Sequence, residues 1–149
     1  MKGIAMAKAK VAVMLSGTGT TMMSLLYASR LPGAPFEIVL VLSNKPEARG
    51  IAVAASEGIA TFAHSHKGLT REAHDALMHE QIARSGADYV ALCGYMRIFS
   101  AGFVERWAGR MLNTHPALLP KYRGLDTHQR AIDAGDTHGG CTIHHVAPE

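Results

Sequence analysis

Cysteine is scarce. The 149 residues include two, Cys93 and Cys141, too few and too far apart for a zinc knuckle or a disulfide scaffold. Each lies in an apolar stretch and reads as a buried, reduced thiol. Long apolar runs are also missing. Uninterrupted runs such as 11–15, 38–42 and 51–55 stop at five residues, whereas a membrane helix needs about 20. The opening MKGIAMAKAK carries positive charge without the apolar stretch of a signal peptide, so the chain reads as cytoplasmic, with no membrane partner. Aromatic residues number only nine and form no stacking stripe, and Lys and Arg are scattered. A net charge of +3 and a pI near 9.0 suit small anions but fall short of a nucleic-acid footprint, so no nucleic-acid partner is expected.

Histidine is plentiful at nine residues, yet the spacing is poor for a metal. His74 and His79 are five apart, no H-E-x-x-H occurs, and the pairs His64/His66 and His144/His145 lack a third ligand. No dedicated metal site is expected. Hydrophobic residues at 48% and charged residues at 18% give a globular balance, and 15 glycines imply several tight turns.

The pattern alternates. Residues 10–15 form a short β-branched run that ends at Ser16-Gly17-Thr18-Gly19, a buried parallel strand entering a glycine-rich turn. Thr20 or Thr21 is expected to cap a helix with Met22, Leu25 and Leu26 on one face. Further strands are expected over 37–42, 59–63, 88–93, 110–113 and 141–146. Helices are expected over 48–58, from Thr70 to Gly86 carrying Ala73, Leu77, Met78 and Ile82, after Ser100 with Phe103 and Trp107, and near 127–134. This succession predicts an α/β fold: a mostly parallel, Rossmann-like open sheet with helices on both faces. Such sheets bind ligands beyond the carboxyl ends of their strands, which gathers the loops 17–21, 93–99 and 113–123 on one edge. The chain ends at Ala147-Pro148-Glu149 directly after a strand, so it reads as one domain, 1–149, with its C-terminal part missing.

Each of these loops admits two readings. The loop 16–21 has the glycines, hydroxyls and helix start of a phosphate cradle, in which a side chain at Gly19 would block backbone approach to the anion. The other reading is a tight strand-to-helix turn with no ligand; Met22 replaces the third glycine of a dinucleotide motif, and no P-loop lysine follows, which leaves a single phosphate as the favoured ligand. Asn113 and His115, two apart on an extended strand, would point the same way and could act on one carbonyl, the amide on an oxyanion and the imidazole on a proton. They could also simply fix the turn that follows. Cys93-Gly94-Tyr95-Met96-Arg97-Ile98-Phe99 could line a pocket for a flat heterocycle or be core around a turn.

The set Ser16-Gly17-x-Gly19, Ser43-Asn44-Lys45, Gly94-Tyr95-Met96-Arg97-Ile98 and Asn113-Thr114-His115-Pro116-Ala117-Leu118-Leu119-Pro120-Lys121-Tyr122, in order over nearly the whole chain, resembles the phosphoribosylglycinamide formyltransferases of the folate-dependent formyltransferase family. Gly124-Leu125-Asp126-Thr127-His128 narrows the likeness within that family. The resemblance implies transfer of a formyl group from 10-formyltetrahydrofolate, the co-substrate, to the amine of glycinamide ribonucleotide in purine synthesis. By resemblance, His115 is the proton donor and Asn113 holds the formyl oxygen. Gly19, Thr20 and Thr21 fall on the ribonucleotide segment, and Arg71, Met96, Arg97, Ile98, Phe99 and Asn113 on the folate site. Both partners are small molecules, and a homo-oligomer is left open. Related readings on the same scaffold are a formyl hydrolase, a methionyl-tRNA formyltransferase, or a fragment that binds without turnover.

Two departures stand out. The family usually has Asn-Leu where this chain has Thr21-Met22, which removes one amide donor. The family also implies an aspartate beside the histidine, which would fall two residues beyond Glu149, so the chain as it stands is expected to be a weak catalyst.

Overall fold

The computed structural model describes residues 7–115, 129–130, 133–134 and 142–145. Strands β1 (Ala9–Leu15), β2 (Phe36–Ser43), β3 (Thr61–Ala63), β4 (Tyr89–Leu92), β5 (Met111–His115) and β6 (Thr142–His145) form one sheet in the order β3-β2-β1-β4-β5-β6. All neighbours are parallel except the β5–β6 pair, which is antiparallel. Helices α1 (Thr20–Ser29), α2 (Arg49–Ser56), α3 (Arg71–Ser85) and α4 (Ala101–Arg106) connect the strands. None of the helices among the described residues is long and apolar enough to cross a membrane.

Alternation along β1 divides the core into two layers. Ala12 and Met14 pack with Met78, Ile82, Phe103 and Trp107 of the α3–α4 side. Val13 and Leu15 pack with Met22, Leu26 and Ala54 of the α1–α2 side. Strand β2 breaks strict alternation: Ile38 and Val41 share one layer while Leu40 and Leu42 share the other. The cause is a register shift, in which Val11 pairs with Ile38 but Ala12 pairs with Leu40. The extra residue, Val39, turns the strand over once, as a bulge does. The expected parallel sheet covered on both faces is thus the observed one.

Several local expectations change. The cap of α1 is Gly19, at φ 82°, and no side chain caps the helix; Thr20 is already helical. A left-handed backbone at that position excludes threonine in favour of glycine. On α3 the buried residues are His74, Asp75, Met78 and Ile82, and Ala73 faces solvent. The helix is rotated so that two polar side chains enter the interior, which an apolar count does not reveal. Thr70 and Gly86 do bound it as expected, Thr70 accepting from the Ala73 N–H at 3.1 Å. Strand β3 is shorter than 59–63, and β5 runs on through His115. The expected helix near 127–134 is described only at 129–130 and 133–134, while Cys141 and the segments 116–123 and 124–128 lie outside the described residues.

Candidate functional site

Chain direction reverses across the sheet between β1 and β4. The chain steps outward from β1 to β2 and β3, then returns to place β4 and β5 on the other side of β1. In open α/β sheets the loops at the carboxyl ends of strands flanking such a reversal are the usual ligand position. Met14 pairs with Leu92, and Leu92 with Asn113, so β1, β4 and β5 end at one level. The segments 16–21, 93–99 and 113–115 follow one another along this edge.

The first segment is held from behind by a second glycine. A Cβ on Gly19 would lie 2.8 Å from the Gly50 Cα, and one on Gly50 would lie 2.7 Å from a Leu15 methyl and 3.1 Å from the Gly19 Cα. The Gly50 N–H also donates to the Gly17 carbonyl at 3.0 Å. The space beside Gly19 is thus filled by α2. Glycine is required there by its backbone conformation and by helix packing, not by a ligand's approach. Gly17, in contrast, has nothing within 4 Å of its Cβ position.

Helix α1 starts here with no acidic residue in its first turn and, among the described residues, no side-chain cap. Those groups and the helix dipole favour an anion. Thr18 and Thr20 hold their hydroxyls 3.0 Å apart, and a groove of about 540 Å3 runs past Thr18, Gly19, Thr20 and Arg49. Thr21 is exposed on the first turn of α1.

The second segment is pinned at both ends. The Met96 N–H donates to Ser16 Oγ at 2.8 Å, and the Ser100 N–H donates to Asp75 Oδ2 at 2.6 Å. Ser100 in turn accepts from the Phe103 N–H and caps α4. Between these anchors Met96 and Ile98 stand 64% and 71% exposed, an uncovered apolar pair. Tyr95 stacks on Phe99 at 5.1 Å, and Phe99 on Phe103 at 4.4 Å, which fixes the inner side of the loop. Among the described residues, the Tyr95 hydroxyl and Arg97 Nε are buried without a hydrogen-bond partner. Burial and then the Asp75 carboxylate push the Tyr95 phenol well above its ordinary range, so it remains a donor. Arg71 opens α3, one turn before Asp75, and so lies on the helix that anchors this loop.

His74 is fully buried, donates from Nε2 to the His64 carbonyl at 2.8 Å, and among the described residues leaves Nδ1 unpartnered. Asn44 Nδ2 donates to His66 Nδ1 at 3.4 Å. Burial, then Arg97, His74, Lys67 and Lys45, hold His66 below its ordinary 6.5. Cys93 is buried and its thiol is pushed up to about 12 by desolvation.

At the third segment Asn113 is half-buried, pairing with Leu92 on one side and His144 on the other. His115 ends β5, its backbone paired with Thr142. The expected site residues therefore reach one edge: Gly19, Thr20 and Thr21 on β1–α1, Met96, Arg97, Ile98 and Phe99 after β4, Asn113 and His115 on β5, and Arg71 on α3. Sequence reading missed Gly50, Arg49, His74 and Asp75. Gly50 left one signal, because glycine inside a helix costs about 1 kcal/mol against alanine and calls for a packing reason.

Residues 9–149 match the model of the family described as formyl transferase. A phosphoribosylglycinamide formyltransferase of Haemophilus influenzae is 40% identical over 142 residues, 94% of this chain and 66% of its own length. The bovine trifunctional purine biosynthetic protein adenosine-3 is 43% identical over 143 residues, 95% of this chain and 14% of its own length. The crystal structure of phosphoribosylglycinamide formyltransferase from Brucella melitensis superposes with a TM-score of 0.89 at 43% identity, covering 93% of this chain and 72% of that one. This chain thus spans a small part of the trifunctional protein and 66% of the Haemophilus enzyme. With the match running from the start of β1 through the last described strand, and with the same sheet in a solved relative, the chain belongs to the formyl transferase family.

Proposed function

We propose that this chain carries the site that transfers a formyl group from 10-formyltetrahydrofolate to the amine of glycinamide ribonucleotide. One observation carries the reading: an anion-binding helix start, an uncovered apolar loop with buried donors, and an Asn-x-His strand end follow one another along β1, β4 and β5. The ribonucleotide phosphate sits on the first turn of α1, held by backbone N–H groups and by the hydroxyls of Thr20 and Thr21, with Arg49 supplying charge from across the groove. The folate ring lies along residues 96–99, against Met96, Ile98 and Phe99, and its acidic tail meets Arg71. Arg97 Nε and the Tyr95 hydroxyl, without a partner among the described residues, offer donors on the inner side of that loop.

Chemistry then falls between the two, beside β5. The amine lone pair attacks the formyl carbon, a C–N bond forms, and the carbonyl electrons move to oxygen. Asn113 donates an amide hydrogen to that oxygen as it becomes an oxyanion. Collapse of the tetrahedral adduct breaks the bond to the folate nitrogen N10. The proton lost by the amine reaches N10 through His115, acting as a general acid near neutral pH.

The test is amine dependence. The chain is incubated with 10-formyltetrahydrofolate with and without glycinamide ribonucleotide, and products are read by mass spectrometry. Formylglycinamide ribonucleotide should form, with formyl loss dependent on the amine. Equal formyl loss without the amine would make the protein a hydrolase.

A further inference from the structure

The two ligand loops share one buried hydroxyl. Ser16 follows the last residue of β1, opens the loop 16–21, and is 6% exposed. Its Oγ donates to Asn44 Oδ1 at 2.6 Å and accepts the Met96 N–H at 2.8 Å, while its own N–H donates to the Gly94 carbonyl at 3.1 Å. Asn44 is 2% exposed and passes the chain of bonds to His66. A serine hydroxyl has a single hydrogen. With that hydrogen committed to Asn44, the Oγ lone pairs are oriented for Met96. On either side of this joint Gly17, Thr18, Gly94 and Met96 are all exposed. Two exposed loops thus hang from one buried residue, at the carboxyl ends of the paired strands β1 and β4.

We infer that Ser16 is a positioning residue that couples the two ligand sites, so that filling one tightens the other. This rests on the reading of 16–21 as the ribonucleotide site and 94–99 as the folate site. A phosphate on the first loop restricts residues 16–19. Through the Gly94 and Met96 bonds it also restricts the start of the second loop, before the folate arrives. The second ligand then meets a loop whose ordering cost has already been met, which is positive coupling without any change of fold. Linkage makes the effect reciprocal.

The experiment uses two unreactive probes, ribose 5-phosphate and tetrahydrofolate, titrated calorimetrically against the full chain, each alone and with the other saturating. We expect each probe to tighten the other by the same factor, about fivefold, at the low end of measured couplings. Ser16→Ala should bind both probes separately with the factor reduced to about one. Ser16→Thr, which retains the hydroxyl, should restore it. Independent binding in the unaltered chain overturns the inference whatever the variants do, including the case where Ser16→Ala does not fold. Coupling that survives in a folded Ser16→Ala overturns it as well. Failure of either probe to bind at all removes the site reading itself, an outcome distinct from binding without coupling.

Discussion

Gly19→Ala isolates the contact that shapes the anion loop. The substitution forces a β-carbon onto a backbone at φ +82°, and left-handed backbone costs a non-glycine residue about 1–2 kcal/mol. The added carbon would also lie 2.8 Å from the Gly50 Cα, a backbone atom that cannot swing aside as a side-chain tip can. Overpacking of this kind costs about 1–3 kcal/mol. Together we expect a loss of about 2–5 kcal/mol, read as a lower urea midpoint at unchanged slope. The companion is Gly17→Ala, two residues away in the same loop. Its β-carbon meets nothing within 4 Å and its backbone is not left-handed, so its stability should stay within about 0.5 kcal/mol of the parent. A Gly19→Ala midpoint equal to that of Gly17→Ala would refute the reasoning, since the two differ in the Gly50 contact and the backbone angle.

Other outcomes follow from the same geometry. Asp75→Ala strips the acceptor from the buried Ser100 N–H and should cost about 1–3 kcal/mol; because that bond holds the far end of the 93–99 loop, tetrahydrofolate should bind more weakly while ribose 5-phosphate alone is nearly unaffected. His66 and His79 are both held below the ordinary 6.5, each chiefly by burial, and His79 also accepts the Trp107 indole hydrogen at 3.2 Å. The folded state thus prefers both neutral: their contribution is fully present above pH 6.5 and is lost as pH falls below 6.5 toward the lower folded values. Melting temperature measured from pH 7.5 to 5 should fall on acidification, and His79→Gln should flatten the curve. Cys93, with its thiol near 12, should resist iodoacetamide at pH 8 until the chain is denatured, as read by mass of its peptide.

How much of this was legible in the sequence depends on the kind of signal. Apolar runs and glycine punctuation located the strands, since a parallel strand buried on both faces has to be continuously apolar. Thr70 and Ser100 were readable as caps because a hydroxyl before a helix has a local partner three residues on. Contacts between distant segments were not. Gly19 and Gly50 touch only because α1 and α2 start side by side, and the inward turn of Asp75 depends on an N–H 25 residues later. The Val39 bulge, which flips half of β2, has no local sequence sign. At the candidate site, Asn113 and His115 were proposed from a motif, and the structure places both on β5. The bond chain through Ser16 and Asn44, 28 residues apart, needed the fold.

The most direct test of the central claim is the rate of formyl transfer to glycinamide ribonucleotide by His115→Ala against the parent chain, with tetrahydrofolate affinity measured on both. General acid catalysis by a positioned side chain contributes about 10²–10⁴-fold. The expected result is therefore a rate at least about a hundredfold lower with folate affinity unchanged. Transfer by His115→Ala within a few-fold of the parent would contradict the account.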